Sequence, residues 1–212
     1  MAHGRTIVEV LRASHDRLAA AVSGLDAEGL RGPSYDNDWS LAQVVSHLGS
    51  GAEVIGAMVT AALLGRPLPG AESFPPIWDR WNAMAPSEAL GALLEEDGTL
   101  VERFERLDDT QLALRVDVFG MSTDLAGLGR MRLSELCLHT WDVAVMADPG
   151  ASLAEDAAAI LVDELGSAAS RTGRPGTPAR CGCKIRFRRN RSSSETILRD
   201  TPRCSTVGMY TT

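Results

Sequence analysis

Apolar residues recur every three or four positions along four long stretches, and that period commits the chain to packed helices. Ile7, Val10, Leu11, His15, Leu18 and Val22 mark a first helix over residues 6–23. Ser40-x-x-Gln43 is a capping box that opens a second, carried to about residue 64, with Trp39 placed before it as a hydrophobic staple. Leu90, Leu93, Leu94, Leu100, Val101, Phe104 and Leu107 stripe a third over 87–107. A fourth runs over 124–147 and stops at Asp148-Pro149-Gly150. Ser152-x-x-Glu155 is a second capping box, opening a fifth helix to about residue 165. Between them, 35–38 is turn chemistry, 71–86 is a long connection bearing Trp78, Arg80 and Trp81, and 114–119 is a short extended piece. The expectation is an all-α four-helix bundle with an extra C-terminal helix and an irregular tail.

Charge divides the chain. Residues 171–212 hold 10 of its 21 Lys and Arg but only 2 of its 28 Asp and Glu, so this tail carries +8. The remainder, with 11 basic and 26 acidic residues, carries −15. Two domains are expected: a helical bundle over 1–170 and a basic tail over 171–212. The tail has lost its apolar period. Two readings of it stay open: a disordered segment, or text from a shifted frame of GC-rich DNA, since Lys occurs once in a chain full of Ala, Gly and Arg. The acidic body would repel phosphates and only the tail is basic, which argues against a nucleic-acid-binding role. No segment reaches the roughly 18–20 apolar residues of a membrane span, and no secretory leader is visible. A cytoplasmic protein is expected. Cys181, Cys183 and Cys204 lack the spacing of a zinc knuckle, and Cys137 fits a buried structural thiol.

The chemistry points to one place. Glu135 and His139 are four residues apart, which puts a carboxylate and an imidazole on one face of a helix, one turn apart. Apolar neighbours Leu133, Leu136 and Leu138 argue against a fully solvated face, and a buried carboxylate needs a partner. His47, within the second helix, can supply a third donor. Three protein ligands with an open position is the pattern of a catalytic divalent-metal site, zinc above all. Asp142, three residues after His139, is placed to orient its imidazole or to bind the ion itself. Each residue alone also has a bland reading, as a hydrogen-bonded core or surface group. His3 and His15 are weaker candidates, and no partner for His15 is visible. Trp39 and Trp141 flank the ligands and either wall the metal pocket or fill the core, the core reading being favoured. Trp78 and Trp81 are the better pocket, or cofactor-binding, candidates.

The stretch Trp39-Ser40-Leu41-Ala42-Gln43-Val44-Val45-Ser46-His47-Leu48 resembles the "W-x-x-x-x-V-x-H-L" start of the mycothiol-dependent maleylpyruvate isomerase family, one of the DinB/YfiT-like metalloenzymes. Residues 133–144, with Glu135, His139, Trp141, Asp142 and Ala144, resemble its "E-x-x-x-H-x-W-D-x-A" helix. The resemblance spans roughly residues 5–165. It implies a four-helix bundle whose metal is held by His47, Glu135 and His139. It also implies mycothiol as a thiol cofactor at the open metal position, and an arginine from the long connection, matched by Arg80, as a clamp for a substrate carboxylate. The chemistry implied is thiolate addition to a cis double bond, rotation and elimination to the trans isomer, or thiol transfer. The partner is then a small unsaturated acid or a thiol conjugate; a homodimer is compatible with this. The tail does not resemble the family's small C-terminal domain, so a non-catalytic metal-binding module is the alternative.

Overall fold

The computed structural model describes residues 4–35 and 38–172, without the side chains of 164–172. His3, the centre of the turn at 36–37 and the tail from 173 onward, with its three cysteines, lie outside the described residues.

Four long helices form the bundle: α1 (Gly4–Val22), α3 (Leu41–Leu63), α5 (Pro86–Glu105) and α7 (Leu125–Ala147). Each packs on two others, α3 on α5 and α7, and α1 on α7 and α5, so the four close a ring around one core. Leu11, Leu18, Val44, Leu48, Leu93, Leu100, Phe104, Leu125, Leu128, Leu133 and Leu136 fill it. α3 has the length and composition of a membrane-crossing helix, but its apolar surface is largely covered by its neighbours here. Short helices α2 (Ala27–Leu30) and α6 (Asp109–Leu112) finish the turns after α1 and α5. α8 (Glu155–Thr172) packs on α7 and α1.

Local chemistry places the helix ends. The Ser40 box forms in full: the Ser40 amide donates to Gln43 Oε1 at 2.9 Å, and Ser40 Oγ accepts from the Gln43 amide at 3.3 Å. Asp124 caps α7, accepting from the Gly127 amide at 2.7 Å. The extended piece at 114–119 is half of a hairpin, β1 (Arg115–Val118) against antiparallel β2 (Met121–Asp124). Phe119 and Gly120 turn it with φ of 53° and 83°, the two left-handed positions of a type I′ turn. Since β2 runs straight into α7, the hairpin sets where the helix bearing Glu135 begins.

Three expectations are corrected. Residues 71–86, expected only as a long connection, hold a 3-10 turn (Ala71–Ser73) and helix α4 (Pro75–Ala83). Pro75 and Pro76 open α4: at a first helical turn proline loses no hydrogen bond and its fixed φ favours the helix. Phe74, Ile77, Trp78 and Trp81, at helical spacing, pack α4 on the core. Ser152 caps nothing; 151–154 is non-helical and α8 starts at Glu155. That helix also continues past residue 165, to Thr172.

Candidate metal centre

α3 and α7 face each other, and each turns part of its functional sequence toward the same point. His47 Nε2 lies 2.8 Å from Glu135 Oε2, and His139 Nε2 lies 3.4 Å from the same oxygen. The three donor atoms all fall within 4.8 Å of one another. Donors around a tetrahedral zinc at about 2.0–2.2 Å stand roughly 3.4 Å apart. The His139–Glu135 separation has that value and the His47–Glu135 separation is shorter, so a small shift of the carboxylate admits an ion. Two imidazoles and a carboxylate are also the donor types zinc takes. The residues fit the group.

The surroundings bias each donor. His139 Nδ1 meets Asp142 Oδ2 at 2.8 Å, which fixes its Nδ1–H and aims Nε2 at the cluster. Burial works against a charge on His139, but the bonds to Asp142 and Glu135 outweigh it and push its pKa up to about 9. Burial likewise disfavours the Glu135 carboxylate, and the hydrogen bonds from His139 and His47 overcome that and hold it well below the usual carboxylate range. Without metal, the cluster is a proton-bound imidazole–carboxylate pair; an ion must displace that proton. Glu135 is 43% exposed against 18% for His139, so the cluster opens to solvent on the carboxylate side.

The tryptophans divide differently from expectation. Trp39 is no mere core filler: its ring stacks on His139 at 6.1 Å between centroids and tilts against His47 at 5.1 Å, walling the cluster. Trp141 donates to the Ala151 carbonyl at 3.0 Å and meets Tyr35 edge-on, tying α7 to the segment before α8. Trp81 is buried, its indole N–H 2.8 Å from Glu53 Oε2 and its ring against Gly49 of α3, where it seats α4. Trp78 is half-buried beside Phe74. Arg80, more than half exposed, pairs with Glu53. Cys137 is buried, and burial raises its thiol pKa, which fits a structural thiol.

One constellation escaped the sequence reading. His15 does have a partner: its Nδ1 lies 2.7 Å from Oδ2 of the fully buried Asp97, whose Oδ1 takes Arg132 Nε at 2.8 Å. The signal was present, because Asp97 falls within the apolar stripe between Leu93 and Leu100, where a carboxylate must be paired.

These features define a class: a helical bundle that gathers two imidazoles and a carboxylate from facing helices, an arrangement that serves divalent metals in bundle proteins. Within that class, the chain belongs to the mycothiol maleylpyruvate isomerase N-terminal domain family, whose model matches residues 11–144. The fold is similar to the crystal structure of the mycothiol-dependent maleylpyruvate isomerase, with a TM-score of 0.65 at 15% identity over 76% of this chain and 69% of that one. A histidine-to-alanine mutant of that isomerase matches equally, with a TM-score of 0.65 at 14% identity and the same coverage. None of the curated proteins matches the chain significantly.

Proposed function

We propose that this chain is a divalent-metal-dependent enzyme, zinc being the best fit, that uses a low-molecular-weight thiol such as mycothiol to isomerise a small unsaturated acid from cis to trans or to transfer the thiol. The observation that carries this reading is the convergence of His47, Glu135 and His139 donors within 4.8 Å. Their family membership and the mycothiol dependence named for the solved isomerase supply the thiol. Bound there, the ion offers an open position at which a thiol is held as thiolate near neutral pH. The chain's own residues do the rest. Asp142 holds the Nδ1 proton of His139 so that Nε2 is free to ligate. Trp39 covers the imidazole faces and limits water there. Arg80 receives the substrate carboxylate by exchanging Glu53 for it, with Trp78 beside it as pocket wall and Trp81 behind it as support. Residues 1–170 act as the metal-binding domain.

A second reading, a non-catalytic metal-binding module, is favoured by the existing Arg80–Glu53 pair, which already satisfies the proposed substrate clamp. Metal analysis of purified full-length protein followed by mycothiol titration separates the two. The enzyme reading expects near-stoichiometric divalent metal and saturable thiol binding, both lost in His47→Ala. Metal without thiol binding selects the module. Unchanged metal content in His47→Ala would overturn the site itself.

A further inference from the structure

The bundle core holds a charged network that none of the proposed chemistry uses. Arg132 of α7 is fully buried. Its Nε and Nη2 lie 2.8 and 2.7 Å from Oδ1 of Asp97 on α5. Its Nη1 donates at 2.9 Å to the main-chain carbonyl of Leu48 on α3. The other oxygen of Asp97 meets His15 on α1 at 2.7 Å. One group from each of the four long helices therefore joins a single buried chain of hydrogen bonds.

Its position is specific. Arg132 precedes Glu135 by three residues and His139 by seven, so all three belong to the side of α7 that faces α3. Leu48 directly follows His47. The Arg132–Leu48 bond thus joins the two helices that carry the proposed ligands, beside His47 and about one turn from Glu135, two from His139. The surface it reaches is built for close approach: α3 reads Gly49-Ser50-Gly51-Ala52 there, and even a Cβ at Gly51 would stand 3.4 Å from Nη1.

Stability does not account for such a network. Removing two charges from water costs as much as their attraction returns, and well-packed apolar replacements are often neutral or stabilising. What a buried fork supplies, and leucine layers do not, is a fixed height. Apolar layers tolerate sliding of one helix along another, whereas a guanidinium anchored on Asp97 reaches one carbonyl at one level.

We propose that Arg132 is a positioning residue of the metal centre: clamped by Asp97, it holds the Leu48 carbonyl and so keeps the turn bearing His47 in register with the turn bearing Glu135 and His139. This inference rests on the metal reading above. It goes beyond that reading by assigning the ligand spacing to a residue that touches neither metal nor substrate. Asp97 and His15 serve as its anchor.

Cobalt titration of metal-free full-length protein tests it, with the visible ligand-field spectrum reporting geometry and a competing chelator reporting affinity. The double variant Arg132→Met with Asp97→Leu removes both buried charges together. It is expected to melt at or above the wild-type temperature, to bind cobalt about 10–100-fold more weakly, as for other groups that orient metal ligands, and to show an altered spectrum. Arg132→Lys keeps the positive charge but cannot span Asp97 and the Leu48 carbonyl together, and is expected to show the same weakening. A double variant with wild-type affinity and spectrum overturns the positioning role while leaving the metal reading intact. Loss of folding in both variants assigns the network to stability and overturns the role as well. If the wild type takes up no cobalt, the metal reading fails and this inference falls with it.

Discussion

At the scale of single residues, the cluster is governed by competition between a proton and an ion for the same donors. His139 binds its proton more tightly in the folded protein, with a pKa of about 9, than in the unfolded chain, where about 6.5 applies. Its contribution to metal-free stability is therefore fully present below about pH 6.5 and is lost as pH rises through about 9. Glu135 is shifted the other way, so its contribution is present above about pH 4.3 and is lost as pH falls. Denaturant unfolding of chelator-treated protein should show stability declining from pH 6.5 to 9, by at most ~2–3 kcal/mol. Asp142→Asn should reduce that decline, since the hydrogen bond to Asp142 is the largest single interaction raising the His139 pKa, with Glu135 adding to it; a rise in stability over the same range would contradict the assignment. With metal present, the same substitution loosens the hold on the imidazole and should weaken zinc binding by about 10–100-fold, read by chelator competition. These residues were legible in the sequence because a helix converts spacing into direction: Glu135, His139 and Asp142 had to share a face. The spacing alone does not decide between pocket wall and core for Trp39, because its role depends on a partner 100 residues away, and no local pattern encodes a ring stacked across two helices.

At the scale of elements, sequence rules worked where the cause was local and failed where it was not. The Ser40–Gln43 box formed because both halves of it lie within four residues; Ser40→Ala should cost about 1 kcal/mol, measurable as a lowered melting temperature. Ser152-x-x-Glu155 has the same letters, but α8 takes its start from packing on α7 and α1, and the box was bypassed. α4 is short, and the apolar face of Phe74, Ile77, Trp78 and Trp81 becomes useful only beside α3, so the segment reads from sequence as a connection and not a helix. The seat of α4 is narrow. A Cβ at Gly49 would lie 2.1 Å from the Trp81 ring, a distance no side chain tolerates, and the ring is wedged against helix backbone. Gly49→Ala should therefore displace α4 and cost on the order of 1–3 kcal/mol or more. A compensating Trp81→Leu in the same chain should recover part of that loss. If Gly49→Ala melts like the wild type, Trp81 does not anchor α4, and the frame that carries Trp78 and Arg80 must be sought elsewhere.

At the scale of the whole molecule, the proposed ion acts as a cross-link. Its ligands come from α3 and α7, with His47 and Glu135 separated by 88 residues, so the unfolded chain offers no comparable site. An ion that binds only the folded state stabilises it by RT ln(1 + [M]/Kd), about 2.7 kcal/mol at one hundred times Kd. Zinc should accordingly raise the unfolding midpoint in a concentration-dependent way, and a chelator should reverse it. An acidic body with a −15 balance attracts divalent cations loosely over its whole surface, so a rise in midpoint alone is weak support. Discrimination comes from where the effect disappears. Loose attraction falls with ionic strength and ignores one imidazole; a three-donor site is little affected by salt and loses a ligand in His47→Ala. Zinc stabilisation that persists in 0.5 M salt and vanishes in His47→Ala is the expected result. Stabilisation equal in wild type and variant would assign zinc to the acidic surface, with α3 and α7 joined by their packing, the His47–Glu135 hydrogen bond and Arg132 instead of by an ion.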